Sequence, residues 1–181
     1  RSSDLSARRD TMNCCLFDVK NVLSGGFEMG NLWYNEPKTL DTAFDVIGDI
    51  VLSAASQQYG GFTVPSVDEI LEPYAEKSHK KLIEKYRGLG LDEETVQKVA
   101  WADLEKEMEQ GFQGWEYKFN SVSSSRGDYP FITVTAGTRT SIYGKLATIK
   151  MLEVRKNGQG KDGHKKPVLF PKIVFLYAEN L

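Results

Sequence analysis

Apolar positions in this chain follow two rhythms. Spacing of three and four residues marks Leu40 to Tyr59 as a helix through Leu40, Ala43, Phe44, Ile47, Ile50, Val51 and Ala54. The same spacing runs from Glu93 to about Tyr117 through Val96, Val99, Ala100, Leu104, Met108, Phe112 and Trp115. It returns behind Ser141 through Leu146, Ile149, Met151, Leu152 and Val154. Between these stretches lie short β-prone runs: Met12 to Phe17, "GFTVP" from Gly61, "FITVTAG" from Phe131 and "PVLFPKIVFLY" from Pro167. The last is almost continuously apolar, as a strand buried on both faces would be.

Polar residues punctuate the pattern. Asp18 is placed to cap a short helix to Leu23, which Gly25 and Gly26 end. Ser66 with Glu69 three residues on reads as a capping box for a further helix to Gly88, with Pro73 expected to kink or restart it. Asp92 is the next cap. Gly111 and Gly114 inside a helix cost roughly 1 kcal/mol each relative to alanine, which predicts close packing there. "FEMGNLWYNEP" and "SVSSSRGDYP" read as loops. Strands alternating with long helices predict an α/β layout with largely parallel strands, and no internal repeat interrupts it.

Composition narrows the class. A chain of 181 residues with 40% hydrophobic positions can bury one sizeable core, so residues 1–181 read as a single domain. A net charge of -2 lacks the basic excess that a nucleic-acid or membrane-surface binder needs. No apolar run approaches the roughly 20 residues of a membrane span, and a cytoplasmic location is expected. The chain opens without methionine in "RSSDLSARRD" and closes at "IVFLYAENL" directly behind an apolar strand, which suggests a piece of a longer protein.

The candidate chemistry centres on "MNCCLFD". Cys14 and Cys15 are the only cysteines, and adjacent residues cannot easily bridge each other. Cysteine is among the residues most often buried, so both could be packing residues. If the run is a strand, its alternation lets at most one of them face a given site. The two histidines, His79 and His164, lack ligand spacing to the cysteines or to each other, so no metal site is expected. "GLG" at Gly88 and "GQGKDG" at Gly158 lack the strand and helix that flank a phosphate loop. The basic run Arg155, Lys156, Lys161, Lys165 and Lys166 reads as a solvated loop, and "RGD" at Arg126 to Asp128 as chance.

Several segments in order carry more than any one of them: "NCCLFD", "GGFEMGN", "EPKT", "YGGFTVPSVDEILEPY", "QGWEYKFN", "PFITVTAGT", "MLEVRKNGQGK" and "PVLFPKIVF". From about Asp10 to Tyr177 the chain thereby resembles the anaerobic, class III ribonucleoside-triphosphate reductases, which are glycyl-radical enzymes. The resemblance implies half of a ten-stranded α/β barrel, the first half-barrel of the catalytic domain, with parallel strands and long helices outside. It implies conversion of ribonucleoside to deoxyribonucleoside triphosphates by radical chemistry. In the family a glycyl radical generates a thiyl radical on a central cysteine, and a cysteine on the first strand supplies reducing hydrogen; that second cysteine falls on Cys14.

The resemblance also implies formate as reductant, dNTP and ATP effectors, a homodimer, a radical-SAM activating enzyme, and a structural zinc in a C-terminal part this chain lacks. "NEPKT" matches the region of the effector site, which makes Lys38 a candidate triphosphate contact and Glu36 a weaker one. Asn120, in "EYKFN", is a candidate for active-site support. The leader carries Ser3 before Asp4 where the family commonly has histidine. With the radical-bearing cysteine and glycine missing, the isolated chain is expected to be inactive. Two other functions fit the same residues: a non-catalytic dNTP-binding or structural module, and a thiol redox protein using the cysteine doublet.

Overall fold

The computed structural model describes residues 14–58, 60–121, 127 and 129–177. The leader around Ser3, the first two residues of the expected strand at Met12, and Arg126 and Asp128 of "RGD" lie outside them. Strand β1 (Cys15–Leu16) leads to helix α1 (Val19–Leu23), then to the strands β2 (Phe27–Met29) and β3 (Leu32–Tyr34). Helix α2 (Leu40–Ala55), strand β4 (Phe62–Val64) and helices α3 (Val67–Gly88) and α4 (Glu93–Ser121) follow. Strand β5 (Ile132–Ala136), helix α5 (Ile142–Asn157) and strand β6 (Lys172–Phe175) complete the order.

The main sheet has the strand order β1-β4-β5-β6, and every neighbouring pair is parallel. Each crossover is therefore long and helical, as parallel pairing demands. The predicted caps form at three helices. Asp18 accepts from Asn21 N–H at the start of α1, Asp92 from Thr95 N–H at α4, and Ser141 from Gly144 N–H at α5.

The core lies on one face of this sheet. Phe62 and Val64 of β4, and Ile132, Val134 and Ala136 of β5, are buried in a cluster with α2, α3, α4 and α5. Where α2 meets α4, the Phe44 ring stands edge-on to Phe112 and Trp115, and the Trp115 indole donates to Phe44 O at 2.8 Å. Gly111 makes the approach feasible, since a Cβ there would come within 2.2 Å of the Phe44 ring. The expected close packing is thus real at Gly111, whereas a Cβ on Gly114 would meet nothing within 4 Å.

Several expectations need correction. "FEMGNLWYNEP" contains a β-hairpin, β2 against β3, with Met29 opposite Leu32 and Gly30 at φ 64 in the two-residue turn. A Gly-Asn turn between β-prone triplets is a known hairpin signal, here masked by the polar residues around it. Ser66 makes no capping bond; it is left-handed, with φ 50, and its N–H donates to Thr135 Oγ1 instead. Glu69 pairs with Lys20 rather than reaching back to the cap.

Helix α3 runs unbroken across Pro73, because Leu71, Tyr74 and Ala75 around it are locked into the core. Ile149 and Leu152, expected in the core, are exposed on α5. Strand β6 is buried on one side only: Ile173 packs against the core, while Val174 remains 43% exposed.

Candidate functional site

Alternation along the parallel strands decides which side chains share the uncovered face. Cys15 pairs with Phe62, and Phe62 with Ile132, all three on the core side. Their neighbours in sequence must then point the other way. Leu16, Thr63, Thr133 and Lys172 consequently form one row across all four strands, linked by the register. Cys14, Gly61 and Phe131 lie before this row, and Thr135 and Val174 beyond it. Among the described residues no helix covers this face, and Leu16 is 77% and Phe131 55% exposed.

A parallel sheet bare on one side is unusual for a finished domain, since such sheets are normally covered on both faces. It is the geometry expected of part of a barrel wall, whose inner surface is closed by further strands.

The two cysteines divide between the faces. Cys15 sits partly buried against the core, and burial pushes its thiol pKa up. Its backbone N–H donates to Gly61 O at 3.0 Å, which registers β1 on β4. Cys14 is exposed on the open face, and Gly61 leaves room beside it: a Cβ there would be 4.0 Å from the Cys14 sulfur. Both are free thiols, and the doublet does not act as a pair in space.

At the carboxyl end of the sheet, buried Asp68 ties two crossovers together. Its Oδ2 accepts from the N–H groups of Gly137, Thr138 and Arg139 at 3.1, 3.0 and 2.9 Å. The first turn of α3 thereby holds the loop that follows β5.

Asn120 lies on the helix side, where it grips the chain entering β6. Its side-chain N–H donates to Phe170 O at 2.6 Å, and its Oδ1 accepts from Leu169 and Phe170 N–H at 3.2 and 3.0 Å. Beside it Glu116, 3% exposed, accepts from Arg155 Nε and Gln159 Nε2, both at 2.7 Å. Arg155 donates onward to Val168 O and Pro171 O. Two side chains, Asn120 and Arg155, therefore bond the backbone of residues 168–171, and Glu116 anchors Arg155. Reading Arg155 as part of a solvated basic run was wrong, because its guanidinium is half-buried in this ion pair. Spacing could not have revealed it, since the partners come from α4, α5 and the β6 lead-in.

Lys38 and Glu36 stand apart from the open face, just before α2. Lys38 is exposed with no hydrogen bond or ion pair among the described residues, and Glu36 pairs with Lys77 at 3.2 Å. The N-terminus of α2 is partly satisfied already. Leu40 N–H donates to Ser78 Oγ at 2.8 Å and Thr42 N–H to Asp41 Oδ1 at 2.7 Å. An anion at Lys38 would share this helix end with the Asp41 carboxylate, whose pKa is lowered by the Thr39 hydroxyl hydrogen bond.

The described residues contain no group of three His, Cys, Asp or Glu side chains placed to hold a metal ion. No helix among them is long and apolar enough to cross a membrane.

Comparison with known proteins accords with this geometry. Residues 3–181 match the family described as anaerobic ribonucleoside-triphosphate reductase. The anaerobic ribonucleoside-triphosphate reductase of Enterobacteria phage T4 is 34% identical over 178 residues, 98% of this chain and 29% of the phage protein. That of Haemophilus influenzae is 38% identical over 169 residues, 93% of this chain and 23% of its own length. The chain thus spans about a quarter of these relatives.

Among solved structures, the anaerobic ribonucleotide reductase from Thermotoga maritima with citrate in the active site aligns with a TM-score of 0.54 at 17% identity, over 81% of this chain and 26% of that one. The same enzyme in complex with dATP and CTP aligns with a TM-score of 0.55 at 15% identity, over 79% and 24%. These structures agree in fold with a barrel segment built of parallel strands and outer helices. Nearly the whole chain lies within one family's boundaries, and it belongs to the anaerobic ribonucleoside-triphosphate reductases.

Proposed function

We propose that this chain is the first half-barrel of an enzyme that reduces ribonucleoside triphosphates to deoxyribonucleoside triphosphates, with Cys14 as the reducing hydrogen donor. The carrying observation is the placement of Cys14 on the bare face of a parallel sheet, while Cys15 packs away from it. A barrel closed over that face would enclose the Cys14 thiol together with a substrate. Hydrogen-atom donation from sulfur needs an accessible S–H, and no ion pair or hydrogen bond among the described residues engages the Cys14 thiol.

The glycyl radical of the family would supply the initiating radical, and formate the external reducing equivalents. Neither group is held by residues described here. The sequence has no third cysteine, so a second interior thiol must come from elsewhere in the enzyme, and the 181 residues alone are not expected to turn over. The radical-SAM activating enzyme, the homodimer and the structural zinc belong to that same fuller enzyme.

Lys38 is the proposed triphosphate contact for a dNTP effector, supported by its exposed, unpaired cation before α2. Glu36, engaged with Lys77, is better suited to steadying that segment than to meeting phosphate. Asn120 supports the active site indirectly, by fixing the lead-in to β6.

The test is reduction of CTP by the activated full-length enzyme with formate. Cys14→Ser should leave no detectable deoxynucleotide while CTP binding persists. Wild-type turnover in the Cys14→Ser enzyme would remove the thiol from the mechanism.

A further inference from the structure

We propose that Lys172 binds the polyphosphate end of the ribonucleotide on the open sheet face; this rests on the reductase reading above and names the group that recognises its substrate. Lys172 opens β6 and lies in register with Thr133, which continues through Thr63 to Leu16. Among the described residues on that face, it is the only charged side chain. Its ammonium makes no ion pair or hydrogen bond among them.

A solvated lysine of this kind needs no explanation, but this face is the inside of a barrel wall. Once further strands close over it, a lone cation becomes costly unless an anion meets it. No carboxylate on the described part of the face can do so. The hydroxyl of Thr133 lies beside Lys172 and that of Thr63 one strand further along the same row, and both are suited to phosphate oxygens. Apolar Leu16, Phe131 and Val174 around them would lower the local dielectric and strengthen the attraction.

The position of Lys172 is also unusually well fixed. Glu116 is buried and Arg155 half-buried in their ion pair, and Arg155 also donates to Val168 O and Pro171 O, the latter immediately before Lys172. Asn120 holds Leu169 and Phe170 from both donor and acceptor sides. Asn120 and Arg155, the latter held by Glu116, thus set the point from which Lys172 projects.

Distance selects which part of the substrate it meets. β6 lies three strand spacings from β1, about 14 Å. With the ribose at Cys14, Lys172 is out of reach of the sugar and of a reductant acting on it. An extended triphosphate and a lysine arm together bridge the gap.

The experiment measures equilibrium binding of CTP and of cytidine to the full-length enzyme without its radical, with dATP binding as the control for a folded protein. Lys172→Met should weaken CTP at least ten-fold, leave cytidine and dATP unchanged, and recover most of the loss in Lys172→Arg. CTP affinity equal to wild type in Lys172→Met, or an equal loss for cytidine, would overturn the proposal. So would unchanged CTP binding with a raised KM for formate, which would assign the cation to the reductant. A wild-type enzyme that binds dATP but no CTP overturns the reductase reading, and this one with it.

Discussion

Cys14 and Cys15 are joined by one peptide bond and face opposite sides of the sheet: Cys14 is exposed on the bare face, and Cys15 packs against the core. Alkylation of the native chain should therefore label Cys14 first, with Cys15 slowed by burial and by its raised thiol pKa. Mass spectrometry of iodoacetamide-treated protein reads the order directly. In the full enzyme, Cys14→Ser should abolish reduction, whereas Cys15→Ser should cost about 1 kcal/mol of stability and leave chemistry intact. Equal labelling rates would contradict the two-faced strand. A stable disulfide between the two would revive the redox-pair reading.

The two glycines of α4 should respond in opposite directions to the same substitution. Gly111→Ala drives a Cβ to 2.2 Å from the Phe44 ring, and relief requires moving an aromatic wedged between Phe112 and Trp115. A cost of about 1–3 kcal/mol is expected. Gly114→Ala meets nothing within 4 Å and should stabilise by about 0.5–1 kcal/mol through helix propensity. Urea unfolding of both variants checks this; equal shifts of the same sign would show that α2 and α4 are not packed as described.

These contrasts mark what could be read in the residues. Helices α2, α4 and α5 announced themselves because each buries a stripe at helical spacing and begins at a capping residue or first-turn acid. β5 did so because Ile132, Val134 and Ala136 alternate with threonines, and that alternation also contained the row to which Thr133 and Lys172 belong. The hairpin at Gly30 was hidden because its strands are three residues long and mostly exposed, so no face pattern develops. Ser66 matched a capping box locally, but tertiary bonding to Thr135 overrode it. The Glu116 clamp was illegible because its partners lie 39 and 43 residues away. Assignment of Cys14 to chemistry rests on family resemblance; what the strand geometry adds is that its thiol is exposed on the bare face.

Removing one side of the buried Glu116–Arg155 pair should be far worse than its surface counterparts. Glu116→Gln strands the Arg155 guanidinium and loosens residues 168–171, an expected loss of about 3–5 kcal/mol. Asn120→Ala removes the neighbouring grip and should loosen the same segment more mildly. Lys80→Ala breaks the exposed pair with Glu76 and should leave stability nearly unchanged. Hydrogen exchange at Ile173 and Val174 should rise in the first two variants and stay unchanged in the third. A Glu116→Gln chain as stable as wild type would remove the clamp as the determinant of β6.

His79 should make stability fall on the acid side of neutrality. It is buried between Tyr143 and Trp101, with Nδ1 3.0 Å from the Tyr143 hydroxyl, and burial holds its pKa below the ordinary histidine value. The folded state then resists a proton that the unfolded chain accepts, so the unfolded state binds more protons as pH drops. Stability is fully present above the unfolded value near 6.5 and declines below it, until the folded value is passed. Denaturation midpoints between pH 7.5 and 5 should therefore slope downward in the wild type, and less steeply in His79→Gln. Parallel slopes in the two proteins would mean that the acid sensitivity arises from carboxylates instead.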